Sequence, residues 1–132
     1  MIDILKNMFN RNAKGIAKSL ETALYSKFPG AINIEWNTNE EYREAIFYCK
    51  EVEYIAKFSK EGDLLEYKKN LSLRDVPESI QKKCLEYGEI MSAISIYSGY
   101  EIIYELIIRN NFMTRFVILF DKNANLLEKK QL

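Results

Sequence analysis

Tyr54-Ile55-Ala56-Lys57-Phe58-Ser59-Lys60-Glu61-Gly62-Asp63-Leu64-Leu65-Glu66 is matched, 62 positions later, by Phe116-Val117-Ile118-Leu119-Phe120-Asp121-Lys122-Asn123-Ala124-Asn125-Leu126-Leu127-Glu128. Phe58 meets Phe120, Lys60 meets Lys122, and Leu64-Leu65-Glu66 meets Leu126-Leu127-Glu128. Each stretch reads as apolar strand, polar turn, returning strand. Lys60-Glu61-Gly62-Asp63 is a hairpin turn with Gly62 free to take positive φ.

Working outward at the same offset, Tyr25 falls on Tyr87, Ala31-Ile32 on Ala93-Ile94, and Ile34 on Ile96. Tyr42 falls on Tyr104 and Ile46 on Ile108. Self-similarity at a fixed period is the mark of repeat architecture. Each copy opens with helical spacing: Ile16, Leu20, Ala23, Leu24 and Phe28 in the first, then Ile80, Cys84 and Tyr87 in the second, after Pro77. Pro29-Gly30 and Gly88 stop these helices. Four strands follow each, beginning with the strictly alternating Ile32-Asn33-Ile34-Glu35-Trp36. The fold expected is α+β, a tandem repeat of a helix plus a four-stranded antiparallel sheet, with the helices packed on one sheet face. The expected organisation is a single domain, 1–132, of two repeats (about 13–71 and 76–132), preceded by an amphipathic lead-in, residues 1–12, that aligns Ile2, Leu5 and Phe9.

Composition narrows the chemistry. Nineteen Lys+Arg balance nineteen Asp+Glu, so the basic surplus that marks a nucleic-acid binder is missing. The sequence has no His, which removes His-based acid/base pairs, nucleophile triads and His-containing metal sites. Phosphate-cradling glycine loops, nucleophile elbows and CxxC pairs are missing too. Asp121-Lys122-Asn123-Ala124-Asn125 begins like a calcium loop, but its sixth and twelfth positions are Leu126 and Leu132, where Gly and Glu are needed. Paired carboxylates such as Glu40-Glu41 and Glu51/Glu53 read as solvated strand ends. The expectation is a chain that is not an enzyme, with no cofactor, no metal and no nucleic-acid partner. Cys49 and Cys84 read as reduced core residues, not bonded to each other.

No apolar run approaches the roughly 20 residues of a spanning helix. The start, Met1-Ile2-Asp3-Ile4-Leu5-Lys6, lacks the apolar core of a secretory signal. A cytoplasmic location is expected from the sequence as written, or a periplasmic one if the chain is a processed form.

Tyr25-x-x-Phe28-Pro29-x-Ala31-x-x-x-x-Trp36, Ala45-x-Phe47, Ala56-x-Phe58-x-x-x-Gly62 and Val76-Pro77-x-x-Ile80 together resemble the PepSY-like, β-lactamase-inhibitor-protein-like family over roughly residues 16–130. The resemblance implies the helix-plus-four-strand repeat, export, and a role as an inhibitor or binding protein. The chain departs from the family in carrying Asn123-Ala124-Asn125 where the second turn usually has Gly. Asn tolerates left-handed geometry, so the turn is expected to form.

One helix per copy covers one sheet side, and the other side should then be polar. Ile102-Ile103-Tyr104-Glu105-Leu106-Ile107-Ile108 and Phe116-Val117-Ile118-Leu119-Phe120 are apolar on both sides instead. Matching to Ala45, Ala56 and Phe58 assigns Ile107, Ile118 and Phe120 to the helix side. The opposite side then carries Tyr104, Leu106, Ile108, Val117 and Leu119, joined by Ile46, Tyr48 and Ile55, with Trp36 as a further aromatic anchor. Such a patch needs a cover: another subunit, the N-terminal lead-in, a partner protein or an apolar ligand. The leading expectation is a noncatalytic binding protein or inhibitor-like module, meeting a protein partner or its own copy through this face. The alternatives are a carrier of a small apolar ligand or lipid, and a structural homo-oligomer.

Overall fold

The computed structural model describes residues 16–132. The expected lead-in, residues 1–12, lies outside the described residues. Helix α1 (Lys18–Lys27) is followed by strands β1 (Ile32–Thr38), β2 (Tyr42–Cys49), β3 (Val52–Ser59) and β4 (Leu64–Leu71). A short 3-10 turn (Leu73–Asp75) and helix α2 (Glu78–Cys84) come next. Strands β5 (Glu89–Ser98), β6 (Glu101–Arg109), β7 (Arg115–Asp121) and β8 (Leu126–Gln131) complete the chain.

The strands form one eight-stranded sheet in chain order, β1 through β8. This corrects the expected tandem of two helix-plus-four-strand units: the described residues form a single antiparallel sheet with two short helices, and most of them are strand. The expectation failed because periodicity reports which residues form a strand but not where a sheet ends. Nothing in Ser72-Leu73-Arg74-Asp75-Val76 marks the sheet as continuing across it. By packing density the chain still divides into two compact units, one ending at Lys68 and one beginning at Lys69.

In the first unit Leu20 and Leu24 are buried one helical turn apart, and the Phe28 N–H closes α1 by donating to the Leu24 carbonyl at 2.8 Å. They pack on Trp36, Ala45, Phe47, Cys49, Ala56 and Phe58. Phe28 sits among aromatics, its ring centroid 5.0 Å from Phe47, 5.4 Å from Tyr54 and 5.3 Å from Tyr67. Strand β1 is not the uniform strand that its alternation suggests. Its pairing with β2 slips between Ile32 and Glu35, and Asn33 takes φ 55°. The bulge turns Ile32 outward, to 58% exposure, while Ile34 and Trp36 keep to the core.

In the second unit Val76, Ile80 and Cys84 pack on Ala93, Leu106, Ile108, Ile118, Phe120 and Ala124. The Gln81 side-chain amide ties α2 to its lead-in by donating to the Val76 carbonyl at 2.7 Å. Gly88 ends the helical segment at φ 139°, where a Cβ would overlap the Arg109 carbonyl. Only glycine fits that approach. In the β7–β8 turn the left-handed residue is Ala124, φ 64°, and not an asparagine. The turn is held by the Asp121 carboxylate, which accepts the N–H groups of Asn123 and Asn125 at 2.9 Å each. Lys83 on α2 donates to the Ala124 carbonyl at 2.6 Å. Cys49 and Cys84 are free thiols in different cores. Burial pushes the Cys84 thiol up to about 11.

Candidate binding face

Strand pairing fixes the two sides of each hairpin, because directly opposed residues share a side. In the second unit Leu106 pairs with Ile118, Ile108 with Phe116, and Tyr104 with Phe120. Leu106, Ile108, Ile118 and Phe120 are fully buried beneath α2, with Tyr104 packed against them. These three β6 residues therefore lie on the helix side, and the expectation that Tyr104, Leu106 and Ile108 form the exposed face is corrected. Burial, and then the neighbouring Tyr97, raise the Tyr104 hydroxyl above its ordinary range. Ile107, expected beneath the helix, lies on the opposite side with Val117, its direct partner.

The reason is a one-residue slip. Cys49 pairs with Val52 across a two-residue turn, whereas Arg109 pairs with Arg115 across Asn110–Thr114. Ala45 opposes Ala56, but the residue that opposes Ile118 is Leu106 and not Ile107. A gapless offset of 62 thus lands on the wrong side of β6, since one residue of slip exchanges the two sides.

Of the expected residues, Val117 and Leu119 do lie on the side away from α2, and both are half-buried. The residues that join them are Ile103 and Ile107 on β6, and Ile94 and Ile96 on β5, which oppose Glu105 and Ile103. Ile94 is buried and the others are partly exposed. Sequence reasoning passed over Ile94 and Ile96, although Ala93-Ile94-Ser95-Ile96-Tyr97 carries the signal: its isoleucines alternate with smaller and more polar residues.

The same side of the first unit is built differently. Ile46 opposes Ile55, and both are buried, while Tyr48 is 39% exposed opposite Glu53. Beside them runs a polar row, Asn37–Glu44–Lys57, in direct register across β1, β2 and β3. Asn37 and Glu44 are buried, and among the described residues neither the Asn37 amide nor Glu44 Oε1 has a hydrogen-bond partner. Burial raises the Glu44 carboxyl above its usual value, against the pull of Lys57 and Lys68 and with the push of Glu66. The Lys57 ammonium sits 4.5 Å from the centre of the Tyr42 ring. Trp36 is core and not rim: it is 5% exposed, and its ring centroid lies 6.0 Å from that of Phe58.

At one end of the second unit a cavity of about 590 Å³ opens between Tyr87-Gly88-Glu89 and Arg109 to Met113. Leu85, Phe112 and Met113 stand exposed on its rim, and Arg109 pairs with Glu89 at 3.3 Å on its wall. Among the described residues no group of three or more Cys, Asp or Glu could hold a metal ion. No described helix is long and apolar enough to cross a membrane.

No protein-family model matches the chain, and no curated protein does either. Solved structures do. A DUF2874-family protein from Bacteroides uniformis superposes with a TM-score of 0.76 at 16% identity, over 87% of this chain and 88% of that one. A protein from Bacteroides eggerthii, whose description proposes a periplasmic location, gives 0.77 at 17% identity, over 87% and 88%. A BLIP-like protein from Bacteroides fragilis gives 0.77 at 16% identity, over 92% and 89%. At such identities the likeness is one of fold, and the fold of this chain is BLIP-like.

Proposed function

We propose that the chain is a noncatalytic binding module, inhibitor-like in mode, that meets a protein through the side of its second unit away from α2. The observation that carries this reading is the aliphatic row Ile103, Ile107, Val117 and Leu119, half-buried on the side of the sheet that α2 does not cover. Apolar surface gathered in this way is where proteins associate. Two facts support the reading from other directions. The likeness in fold to a BLIP-like protein weighs toward an inhibitor-like mode of binding. The sequence has no His with which to build common acid/base chemistry. The PepSY half of the resemblance rests on the sequence motifs alone. A periplasmic site of action follows the description of the Bacteroides eggerthii neighbour.

The test is Ile107→Asp, which places a charge in the row without touching the buried core. The variant should unfold at nearly the wild-type temperature. It should also lose the protein captured by the wild type, or the wild type's self-association in light scattering. A variant that captures and associates as the wild type does would end the proposal.

A further inference from the structure

The side of the sheet away from the helices is half-exposed in the second unit and sealed in the first. Ile107 and Val117 stay partly exposed, whereas Ile46 and Ile55, the pair in the same position, are 2% and 3% exposed. Asn37, Glu44 and Glu53 on that side are buried too. Helix α1 is not the cover, since Leu20 and Leu24 pack on Trp36, Ala45, Phe47, Ala56 and Phe58, which lie on the opposite side. The other described elements of this unit are the strands and their turns. The cover must also supply polar groups: among the described residues neither the buried Asn37 amide nor Glu44 Oε1 has a hydrogen-bond partner.

The chain that enters α1 starts beside this side. A Cβ on Gly62 would lie 3.9 Å from both Ala23 Cβ and the Ser19 carbonyl, so the first turns of α1 sit at the β3–β4 turn. With strands paired in chain order, that turn shares its end of the sheet with the β1–β2 turn. The Asn37–Glu44–Lys57 row lies next to that end, and Glu35–Ile46–Ile55 is the next row on the same side. Layers pack about 10 Å from a sheet, so roughly 20 Å separates the α1 layer from a layer on the other side. About six extended residues cover that distance. Counting back from Ile16, which packs on the first core, those six are Asn10-Arg11-Asn12-Ala13-Lys14-Gly15, and they are mostly polar. Beyond them stand Ile2, Ile4, Leu5, Met8 and Phe9. Lys6, Arg11 and Lys14, against Asp3 alone, suit a side that carries Glu35, Glu44 and Glu53 against Lys57 on β1 to β3. We propose that residues 1–15 fold back round this end of the sheet and cover its side away from α1 in the first unit. Residues 10–15 then pass over the Asn37–Glu44–Lys57 row, and the apolar residues before them cover Ile46 and Ile55. The binding face of the second unit stays open, and the two readings are independent.

The experiment is native thiol labelling of the full chain at several protein concentrations. The thiol of Ile55→Cys should react with a small maleimide at least about tenfold more slowly than that of Ile107→Cys. Adding Leu5→Asp with Phe9→Asp should bring position 55 to nearly the rate of position 107, while Leu106→Cys in that background stays protected. A second measurement leaves the apolar residues untouched. A nitroxide on Asn7→Cys should broaden the methyl resonances of Ile46 and Ile55 more than those of Leu20 and Leu24. If the doubly substituted chain unfolds, so that position 106 labels as well, the nitroxide decides. A thiol at 55 as reactive as that at 107 in the otherwise unaltered chain overturns the proposal. So does protection at 55 that survives Leu5→Asp with Phe9→Asp, or a nitroxide that leaves the Ile46 and Ile55 methyls sharp. Protection that appears only as protein concentration rises gives the cover to a second copy and overturns it too.

Discussion

Hairpin β2–β3 and hairpin β6–β7 are similar in composition and opposite in consequence. In the first, the side away from the helix carries Glu44, Lys57 and Glu53 around the buried Ile46–Ile55 pair. In the second, Ile107 and Val117 take the positions of Ile46 and Ile55, Glu105 and Leu119 those of Glu44 and Lys57, and Arg115 that of Glu53. Turn length marks the divergence: two residues, Lys50 and Glu51, both at positive φ, against the five of Asn110–Thr114. The comparison teaches that an apolar run alone does not identify a surface. Leu106 and Ile107 are neighbours of nearly equal hydrophobicity, one sealed in a core and the other facing outward. Only the strand register tells them apart.

The largest effect should come from truncating those two neighbours. Leu106→Ala removes a fully buried side chain from the second core and should cost about 3 kcal/mol in denaturant unfolding. Ile107→Ala should cost less than about 1 kcal/mol. Equal costs would break the distinction between the two sides.

Next is Gly88→Ala. The new methyl group would meet the Arg109 carbonyl at a backbone angle that L-residues avoid, and a loss of about 2 kcal/mol is expected. Thermal unfolding measures it. An unchanged melting temperature would show that β5 and the end of β6 approach less closely than described.

A smaller effect sharpens the first hairpin's side of the comparison. Burial raises the folded-state pKa of Glu44 above its ordinary 4.5. The folded protein then holds that proton more tightly than the unfolded chain does. Stability is fully retained below pH 4.5 and falls as pH rises through the raised value. Glu44→Gln should therefore raise the melting temperature at pH 7, and the gain should vanish below pH 4.5. A variant less stable than the wild type at pH 7 would mean that attraction to Lys57 and Lys68 outweighs burial.

Several local elements were legible in the sequence, though not the single sheet they build. The alternation of Ala93-Ile94-Ser95-Ile96-Tyr97, the stops at Pro29-Gly30 and Gly88, and the helical spacing of Leu20 and Leu24 all mark real elements. What could not be read is whatever depends on long-range register. The bulge at Asn33 exposes Ile32 although the local pattern is strictly alternating. The longer β6–β7 turn reverses the sides of Tyr104, Leu106 and Ile108 relative to a gapless match. The single eight-stranded sheet depends on backbone pairing that side-chain periodicity does not encode. Trp36, offered as an interface anchor, has a good interface composition but is fixed in the core by Phe58.

The most direct test is which of two adjacent side chains meets solvent. Both natural cysteines are buried, so a single introduced thiol reports its own position. With Ile107→Cys and Leu106→Cys in separate chains, the thiol at position 107 should react with a small maleimide under native conditions. The thiol at position 106 should react only on unfolding. Rapid native labelling at 106 with protection at 107 would put the aliphatic row in the core and contradict the binding face.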